Sequence, residues 1–190
     1  AQWEITYKVF ANGIIKVDNR FVAEGTETPM IPRVGLRMQL SEILNDLTYY
    51  GRGPEENYRD RRTSQFIGEY TTPIKDLYEP YIRPQENEHR TDIYWCALTT
   101  KQKAGLLFIA DRTFELNASN YLLGSLDSGE TIDNGAPRTN ETNHRHLTDP
   151  QPVKQVDMFI DYRMMGVGGD NSWGAIAHEP YLIRPGVENA

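Results

Sequence analysis

Apolar and polar residues alternate along most of the chain, a pattern that predicts short β-strands. Segments 3–10 and 14–18 flank Asn12-Gly13, and Asn-Gly between two alternating segments is typical of a hairpin turn. The remaining predicted strands are 34–40, 47–50, 65–71, 91–99, 104–111, 155–163 and 177–183. Clusters of Gly, Pro, Asn and Asp separate them, so we expect an opening hairpin followed by a series of short strands.

Helical patterns are confined to two short segments, 41–45 and 117–123, because no window of a dozen residues has a 3.6-residue apolar period. Repeated short strands without crossover helices favour an antiparallel sandwich or barrel over a parallel sheet. The chain has no internal repeat and no stretch that resembles a linker. We therefore predict one all-β domain that spans residues 1–190.

Three irregular segments interrupt the strands, at 51–62, 127–151 and 166–174. The longest, 127–151, is rich in Gly, Pro, Asn, Thr and His, and its length marks it as a functional or mobile loop. Its role stays open at this stage.

Length and charge limit the class of protein. A chain of 190 residues can bury a core without a disulfide or a metal. The net charge of -7 and a pI near 5.1, with no basic stripe, argue against binding to nucleic acid. No apolar stretch reaches the roughly 18 residues that a membrane-spanning helix needs, so we expect a soluble protein.

The single cysteine, Cys96, lies in the apolar segment 93–98 and is interpreted as a small buried hydrophobic residue. One cysteine cannot form an internal disulfide, so it gives no indication of the cellular compartment. The first residues carry neither an initiator Met nor a targeting signal. We interpret the chain as a piece of a longer polypeptide.

Four motifs follow one another along the sequence. They are 31–36 (IPRVGL), 51–61 (GRGPEENYRDR), 81–87 (YIRPQEN) with Arg90 behind it, and 165–173 (MGVGGDNSW). In this order and spacing they resemble the C-terminal domain of the lac-operon type of β-galactosidase in glycoside hydrolase family 2. Two features depart from the pattern: Arg52 stands between two glycines where members vary, and 127–143 matches nothing in the family.

The resemblance implies a large antiparallel β-sandwich, related in shape to the galactose mutarotases, beside a catalytic (β/α)8 barrel in the parent enzyme. It implies hydrolysis of terminal β-galactosides with retention on two glutamates of that barrel, outside this chain. The chain alone is therefore expected to be inactive. The implied partners are other domains of the same polypeptide and a β-galactoside or galactose, within a parent that can be homo-oligomeric. The resemblance assigns no cofactor to this chain, and any Mg²⁺ or monovalent cation of the parent is expected outside it.

Trp173 is the candidate substrate-binding residue. A flat indole can stack on the C–H face of a hexose, and the resemblance implies that Trp173 forms part of the wall of the sugar site. The alternative is a tryptophan packed in the core. Gly166, Gly168 and Gly169 suit a loop that needs positive φ or close backbone approach in order to present such a ring.

Acidic residues of the second and third motifs allow two interpretations. The acids Glu55, Glu56, Asp60 and Glu86 could include the carboxylate pair of a glycosidase. Alternatively they fix the loops through ion pairs with the neighbouring arginines, which are Arg52, Arg59, Arg61, Arg62 and Arg83. The resemblance favours the second interpretation, because it places the catalytic glutamates in the barrel.

His144 and His146 would lie on one face of a strand and could form a metal site or an acid/base pair. No ligand spacing supplies the third and fourth ligands, so we predict no metal in this chain. Two functional alternatives stay open: a stand-alone carbohydrate-binding module, and a mutarotase-like epimerase that uses these histidines.

Overall fold

The computed structural model describes residues 1–23, 30–126, 146–171 and 173–185. The described residues form eight strands and three short 3-10 turns, which confirms the all-β prediction. The strands are β1 (Gln2–Val9), β2 (Ile15–Val22), β3 (Arg33–Leu40), β4 (Asp46–Gly53), β5 (Phe66–Pro73), β6 (Arg90–Thr99), β7 (Gly105–Ser119) and β8 (Val156–Met164). The turns are Ile74–Asp76, Leu123–Leu126 and Glu179–Tyr181. None of the helices in the described ranges is long and apolar enough to span a membrane.

The strands form two antiparallel sheets, an arrangement consistent with the predicted β-sandwich. Strands β1 and β2 pair with each other, and the other six form a sheet in the order β3-β8-β7-β6-β4-β5. Every pairing in both sheets is antiparallel. Neighbouring strands therefore bring the loops at one end of the six-stranded sheet together.

The opening hairpin forms where Asn12-Gly13 predicts it. The backbone N–H of Phe10 donates to the carbonyl of Ile14 at 2.9 Å, and the Asn12 side chain accepts from the Ile14 N–H at 3.2 Å. Gly13 has a φ of +88°, a conformation that glycine adopts at little cost.

One face of the six-stranded sheet carries the hydrophobic core. Cross-strand pairing aligns the apolar positions of the central strands, so that alternate residues from β4, β6, β7 and β8 share this face. The buried cluster comprises Leu47, Tyr49, Ile74, Leu77, Ile93, Cys96, Leu98, Phe114, Leu116, Ala118, Val156 and Met158. Burial raises the pKa of the Cys96 thiol, in agreement with the prediction of a buried hydrophobic residue.

The opposite face of the same sheet, here called the outer face, has two parts. At β3, β8 and the end of β7 it carries buried polar side chains, among them Asn117, Asp157 and Asp161. At β4, β5, β6 and the start of β7 it carries partly exposed apolar side chains, among them Tyr50 and Ile109.

Three predicted elements differ from the observed ones. Segment 177–183 is not a strand, because Pro180 lacks an N–H and lies within the turn Glu179–Tyr181. Residues 117–119 end strand β7, and the helical turn follows later, at Leu123–Leu126. Segment 41–45 is a turn closed by the Leu44 N–H, which donates to the Ser41 carbonyl at 3.0 Å.

Gly35 allows β3 and β8 to approach each other beside a bulge between Val34 and Gly35. A Cβ at this position would lie 2.2 Å from Asp161 Oδ1 and 2.5 Å from the Ile160 carbonyl oxygen. We expect Gly35→Ala to lower the free energy of unfolding in urea by about 3 kcal/mol, because neighbouring backbone must move. Gly124→Ala is the control, since no atom lies within 4 Å of its added Cβ. Equal stability of the two variants would contradict this account.

Candidate functional site

The four sequence motifs meet at one end of the six-stranded sheet. The first motif leads into β3, the second follows β4, the third precedes β6 and the fourth follows β8. Antiparallel pairing places the start of β3 beside the end of β8, and the end of β4 beside the start of β6. The topology therefore gathers segments that are more than 100 residues apart in the sequence into one cluster of loops.

Asn57 joins the second motif to the segment before β6. Its buried side-chain amide donates to the carbonyls of Arg52 and Glu55 at 3.1 and 3.0 Å. Its oxygen accepts from the backbone N–H and the hydroxyl of Thr91 at 3.0 and 2.6 Å. The Asn57 N–H donates to the His89 carbonyl at 2.7 Å. Because every polar group of this side chain is used, the loop has a fixed position relative to β6.

His89 lies among buried polar side chains that are here called the polar cluster. Its other members include Asn57, Glu115, Asn117 and Asp161. Its imidazole stacks on the Tyr58 ring with centroids 5.1 Å apart. The Nδ1 atom faces Asn117 Oδ1 at 2.7 Å, and Nε2 faces Glu115 Oε2 at 3.1 Å. Asn117 Oδ1 can only accept, so His89 donates from Nδ1. The same Glu115 carboxylate accepts from the Met164 N–H at 2.6 Å, which connects His89 to the end of β8.

Arg33, in the first motif, connects three carboxylate and amide groups. It donates to Asp161 from Nε and Nη2 at 3.1 and 2.6 Å, to Glu86 from Nη1 at 3.2 Å, and to Asn117 from Nη2 at 2.9 Å. Its guanidinium also lies over the Phe159 ring, 4.1 Å from the centroid. Burial raises the pKa of Asp161 to about 6 even though Arg33 lies beside it. This arginine therefore compensates a carboxylate that the fold has removed from water.

Three of the four predicted acids of the second and third motifs, Glu56, Asp60 and Glu86, hold the loops in place. Glu56 contacts Arg61 and Tyr81, and it accepts from the Glu88 N–H at 2.9 Å. Glu86 pairs with Arg33, as described above. Asp60 accepts from the Gly168 N–H at 2.8 Å. These contacts bear out the interpretation of structural carboxylates for Glu56, although Glu86 and Asp60 use partners other than the predicted arginines.

Two of those arginines contact an acid that the sequence analysis did not single out. Arg52 donates from Nε to Asp92 at 2.7 Å, and Arg62 donates to both Asp92 oxygens at 2.9 and 3.0 Å. Asp92 has a φ of 57°, an unusual conformation for a residue other than glycine. A third arginine, Arg59, lies 3.9 Å from Glu115, and its pKa is lowered by burial and by the nearby Arg163.

The loop that bears Trp173 is fixed at its base through its main chain. The Gly168 N–H bonds to Asp60, the Gly166 N–H donates to the Tyr181 carbonyl at 2.8 Å, and the Met165 N–H donates to the Pro32 carbonyl at 2.9 Å. A Cβ on Gly166 would lie 2.6 Å from Asp60 Oδ2. The base of this loop is therefore held by three neighbouring segments.

The predicted loop glycines differ in what they do. Gly166 and Gly169 permit close approach, since a Cβ on Gly169 would lie 2.0 Å from the Ala175 carbonyl oxygen. Gly168 has space for a side chain, because its added Cβ would be 3.5 Å from its nearest neighbour, Asp60 Oδ2. Among the described residues of this loop, a positive φ occurs instead at Gly174, with a value of +100°.

Trp173 projects from the tip of this loop. Its backbone N–H donates to Asn171 Oδ1 at 2.8 Å, and the residue is 93% exposed. This exposure excludes the alternative of a tryptophan packed in the core. An exposed indole on a loop with a fixed base can form one wall of a binding site when a second surface faces it.

The candidate histidines give no support for a metal site. His144 lies outside the described residues, and His146 is an exposed residue that lies 3.3 Å from Asp149. Within the described ranges no group of three His, Cys, Asp or Glu side chains could hold a metal ion. Most of the predicted loop 127–151 is likewise outside the described residues, so its role stays open.

Comparison with known proteins relates the chain to one family. A family model described as "Beta galactosidase small chain" matches residues 1–189. Similar curated proteins include beta-galactosidases from Priestia megaterium (32% identical over 179 residues, 94% of this chain), Vibrio cholerae (30% over 177 residues, 93%) and Streptococcus thermophilus (29% over 181 residues, 95%). The matched region covers only 16%, 15% and 16% of these relatives. The chain thus spans about one sixth of the length of the curated relatives that it matches.

The bond from Gly168 to Asp60 is expected to control the mobility of the tryptophan loop. Asp60→Ala removes the acceptor, and we expect the Gly168 amide to exchange with deuterium about tenfold faster, the effect of losing a bond to a charged group. Asp60→Asn retains an acceptor oxygen and should preserve most of the protection. The Leu98 amide, in the core of β6, is the internal control for global stability. Unchanged exchange at Gly168 in Asp60→Ala would contradict the assignment.

Glu88 makes the stability of this end of the sheet depend on pH. It is almost fully buried, burial raises its pKa well above 4.5, and Oε2 lacks a hydrogen-bond partner among the described residues. Its protonated form is favoured in the folded state, so the stability that it contributes is complete below pH 4.5 and declines as the pH rises through the folded pKa.

Glutamine resembles the protonated acid, so Glu88→Gln should match the wild type near pH 4 and become progressively more stable than it up to pH 8. Urea unfolding of both chains across this range provides the measurement. Glu69→Gln, at an exposed position of β5, is the control and should show no such trend. A constant difference between Glu88→Gln and the wild type would rule out the proposed linkage.

Proposed function

The chain belongs to the beta-galactosidase small chain family, and on that premise we propose that it is a non-catalytic, carboxy-terminal domain of a glycoside hydrolase family 2 β-galactosidase. In this proposal the longer protein hydrolyses terminal β-D-galactosides with retention of configuration. The two glutamates that perform the chemistry lie outside this chain. Any Mg²⁺ or monovalent cation that the longer protein uses is also held outside it.

The observation that carries the proposal is an exposed indole on a loop with a fixed base. Trp173 is 93% exposed, whereas three backbone hydrogen bonds fix the loop from Met165 to Gly168. The indole offers a large apolar face with one polar N–H, a combination that suits a surface partly covered by a ligand. We propose that Trp173 forms one wall of the galactoside site and contacts the apolar C–H face of the sugar.

The carboxylates near this loop support a non-catalytic role. A retaining glycosidase needs two carboxyl groups about 5 Å apart on either side of the scissile bond, with room for the sugar between them. Glu56, Asp60 and Glu86 instead bond to protein groups that hold the loops together. Each of these side chains is therefore used to position structure, and the proposal assigns proton transfer and nucleophilic attack to other residues of the longer protein.

Removal of the indole provides the direct test. In the longer protein, Trp173→Ala should raise KM for a nitrophenyl β-galactoside by about tenfold, because it removes a ring contact worth roughly 1.4 kcal/mol. Val167→Ala, an exposed position of the same loop, is the matched control and should leave the kinetics unchanged. Wild-type KM and kcat in Trp173→Ala would remove Trp173 from the sugar site.

The isolated 190-residue chain separates this proposal from its two alternatives. We expect it to show no hydrolysis and no binding to galactose or lactose that calorimetry can detect, since a single wall makes few contacts with the sugar. Saturable binding would instead identify a stand-alone carbohydrate-binding module. Accelerated anomer exchange in polarimetry, lost in His144→Ala, would identify a mutarotase-like activity.

A further inference from the structure

The loop that bears Trp173 has two arms that pack against each other. The first arm, 165–170, leaves β8, and the second arm, 174–181, returns from the tip. Ala177 of the second arm is buried, and a Cβ on Gly166 would lie 2.9 Å from the Ala177 Cβ. Nearer the tip, Gly169 approaches the backbone of Ala175 with no room for a Cβ. The two arms are therefore in contact at both levels.

One side-chain hydrogen bond also connects the two arms. His178 Nε2, on the second arm, lies 2.8 Å from Asp170 Oδ1, on the first arm. Because an ionised carboxylate can only accept, the Nε2 atom of His178 carries the proton and donates it. Asp170 is the last residue of the first arm, so this bond is made directly before the tip of the loop.

The backbone of His178 has a fixed position. Its carbonyl accepts from the Tyr181 N–H at 2.9 Å, and the Tyr181 carbonyl accepts from the Gly166 N–H at 2.8 Å. The preceding residue, Ala177, is 4% exposed. The imidazole of His178 therefore extends from an anchored part of the loop to the less anchored residue Asp170.

The bond to Asp170 bears on the orientation of the indole. Asn171 follows Asp170 in the sequence, and its side chain accepts from the backbone N–H of Trp173 at 2.8 Å. A side-chain acceptor two residues before the donor closes a local turn. His178 thus holds the residue from which this turn begins, and the turn carries Trp173.

The exposure of the pair indicates what the bond can contribute. The side chains of His178 and Asp170 are 62% and 79% exposed, and a pair so open to water adds little to the stability of the fold. It can still restrict the conformations of the tip. A ring that is already ordered before a ligand arrives loses less conformational freedom on binding.

We propose that His178 is a positioning residue for Trp173, which holds the indole through Asp170 in the orientation that contacts the galactoside. This inference rests on the proposed function of Trp173 as one wall of the sugar site. His178 itself contacts neither the sugar nor the reacting atoms. Its effect is on binding, because the ordered ring is needed before the bond of the sugar is cleaved.

Kinetics of the longer protein provide the first test. We expect His178→Ala to raise KM for a nitrophenyl β-galactoside about threefold and to leave kcat unchanged, the effect of losing one exposed pair. His178→Gln retains a side-chain N–H for Asp170 and should restore most of the wild-type KM. Arg184→Ala removes another exposed ion pair, with Glu179, and is the matched control with unchanged kinetics. Wild-type KM in His178→Ala would overturn the proposal.

A double variant distinguishes positioning from direct contact. If His178 acts through the indole, His178→Ala should have no further effect on KM when Trp173→Ala is already present. A further threefold rise in that background would show that His178 contacts the sugar itself, and would overturn the proposal.

Hydrogen exchange separates this inference from the proposed function, because it needs no sugar. In the longer protein, His178→Ala should make the Trp173 amide exchange with deuterium about threefold faster, and His178→Gln should not. Unchanged exchange in His178→Ala, together with a raised KM in Trp173→Ala, would overturn the positioning role alone. Faster exchange in His178→Ala, together with wild-type KM in Trp173→Ala, would support the contact between the arms and overturn the sugar site.

Discussion

The arrangement of this end of the molecule depends on one constraint, that buried polar groups must find hydrogen-bond partners. The loops that meet there are rich in Gly, Pro, Asn and charged residues, so they have few apolar side chains with which to pack. Asn57, His89 and Arg33 join them instead, and each uses several of its polar atoms. An unpaired donor or acceptor in such a place costs about 1–3 kcal/mol, so few loop positions satisfy most of these groups, and Glu88 Oε2 is an exception among the described residues. The loops at this end of the sheet are therefore held in a fixed arrangement.

The hydrophobic core and the polar residues of the loops therefore have different roles. The hydrophobic cluster on one face of the sheet supplies cohesion through side chains such as Leu47, Ile93 and Met158. The polar cluster beyond it fixes geometry through directional bonds, and buried ion pairs of this kind contribute little net stability because desolvation offsets their attraction. The exposed loop of Trp173 bonds to polar groups of the neighbouring loops and not to the hydrophobic core. Its position is therefore set by directional bonds from Asp60 and from the backbone of Pro32 and Tyr181.

Sequence patterns predict the strands well where one face is buried, because alternation then records the burial. This holds for the strands around Leu47 and Leu98, whereas both strands of the hairpin are largely exposed and its position is predicted by the Asn12-Gly13 turn. Alternation misleads at 177–183, where Pro180 interrupts backbone pairing. The motifs identified the loops that meet at this end of the sheet, and Trp173 is exposed there. Sequence analysis did not predict the partners Glu115, Asn117 and Asp161. Up to 128 residues separate them from the groups that they bond, and spacing along the chain does not indicate such contacts.

The way in which the tryptophan loop is held has an evolutionary consequence. Its supports act on main-chain atoms of Met165, Gly166 and Gly168, while the side chains of Val167 and Ile176 are exposed. Substitutions at the tip can therefore alter what the loop presents without altering the path of the chain beneath it. Side chains of this loop can therefore change in evolution while the main-chain bonds that support it are preserved.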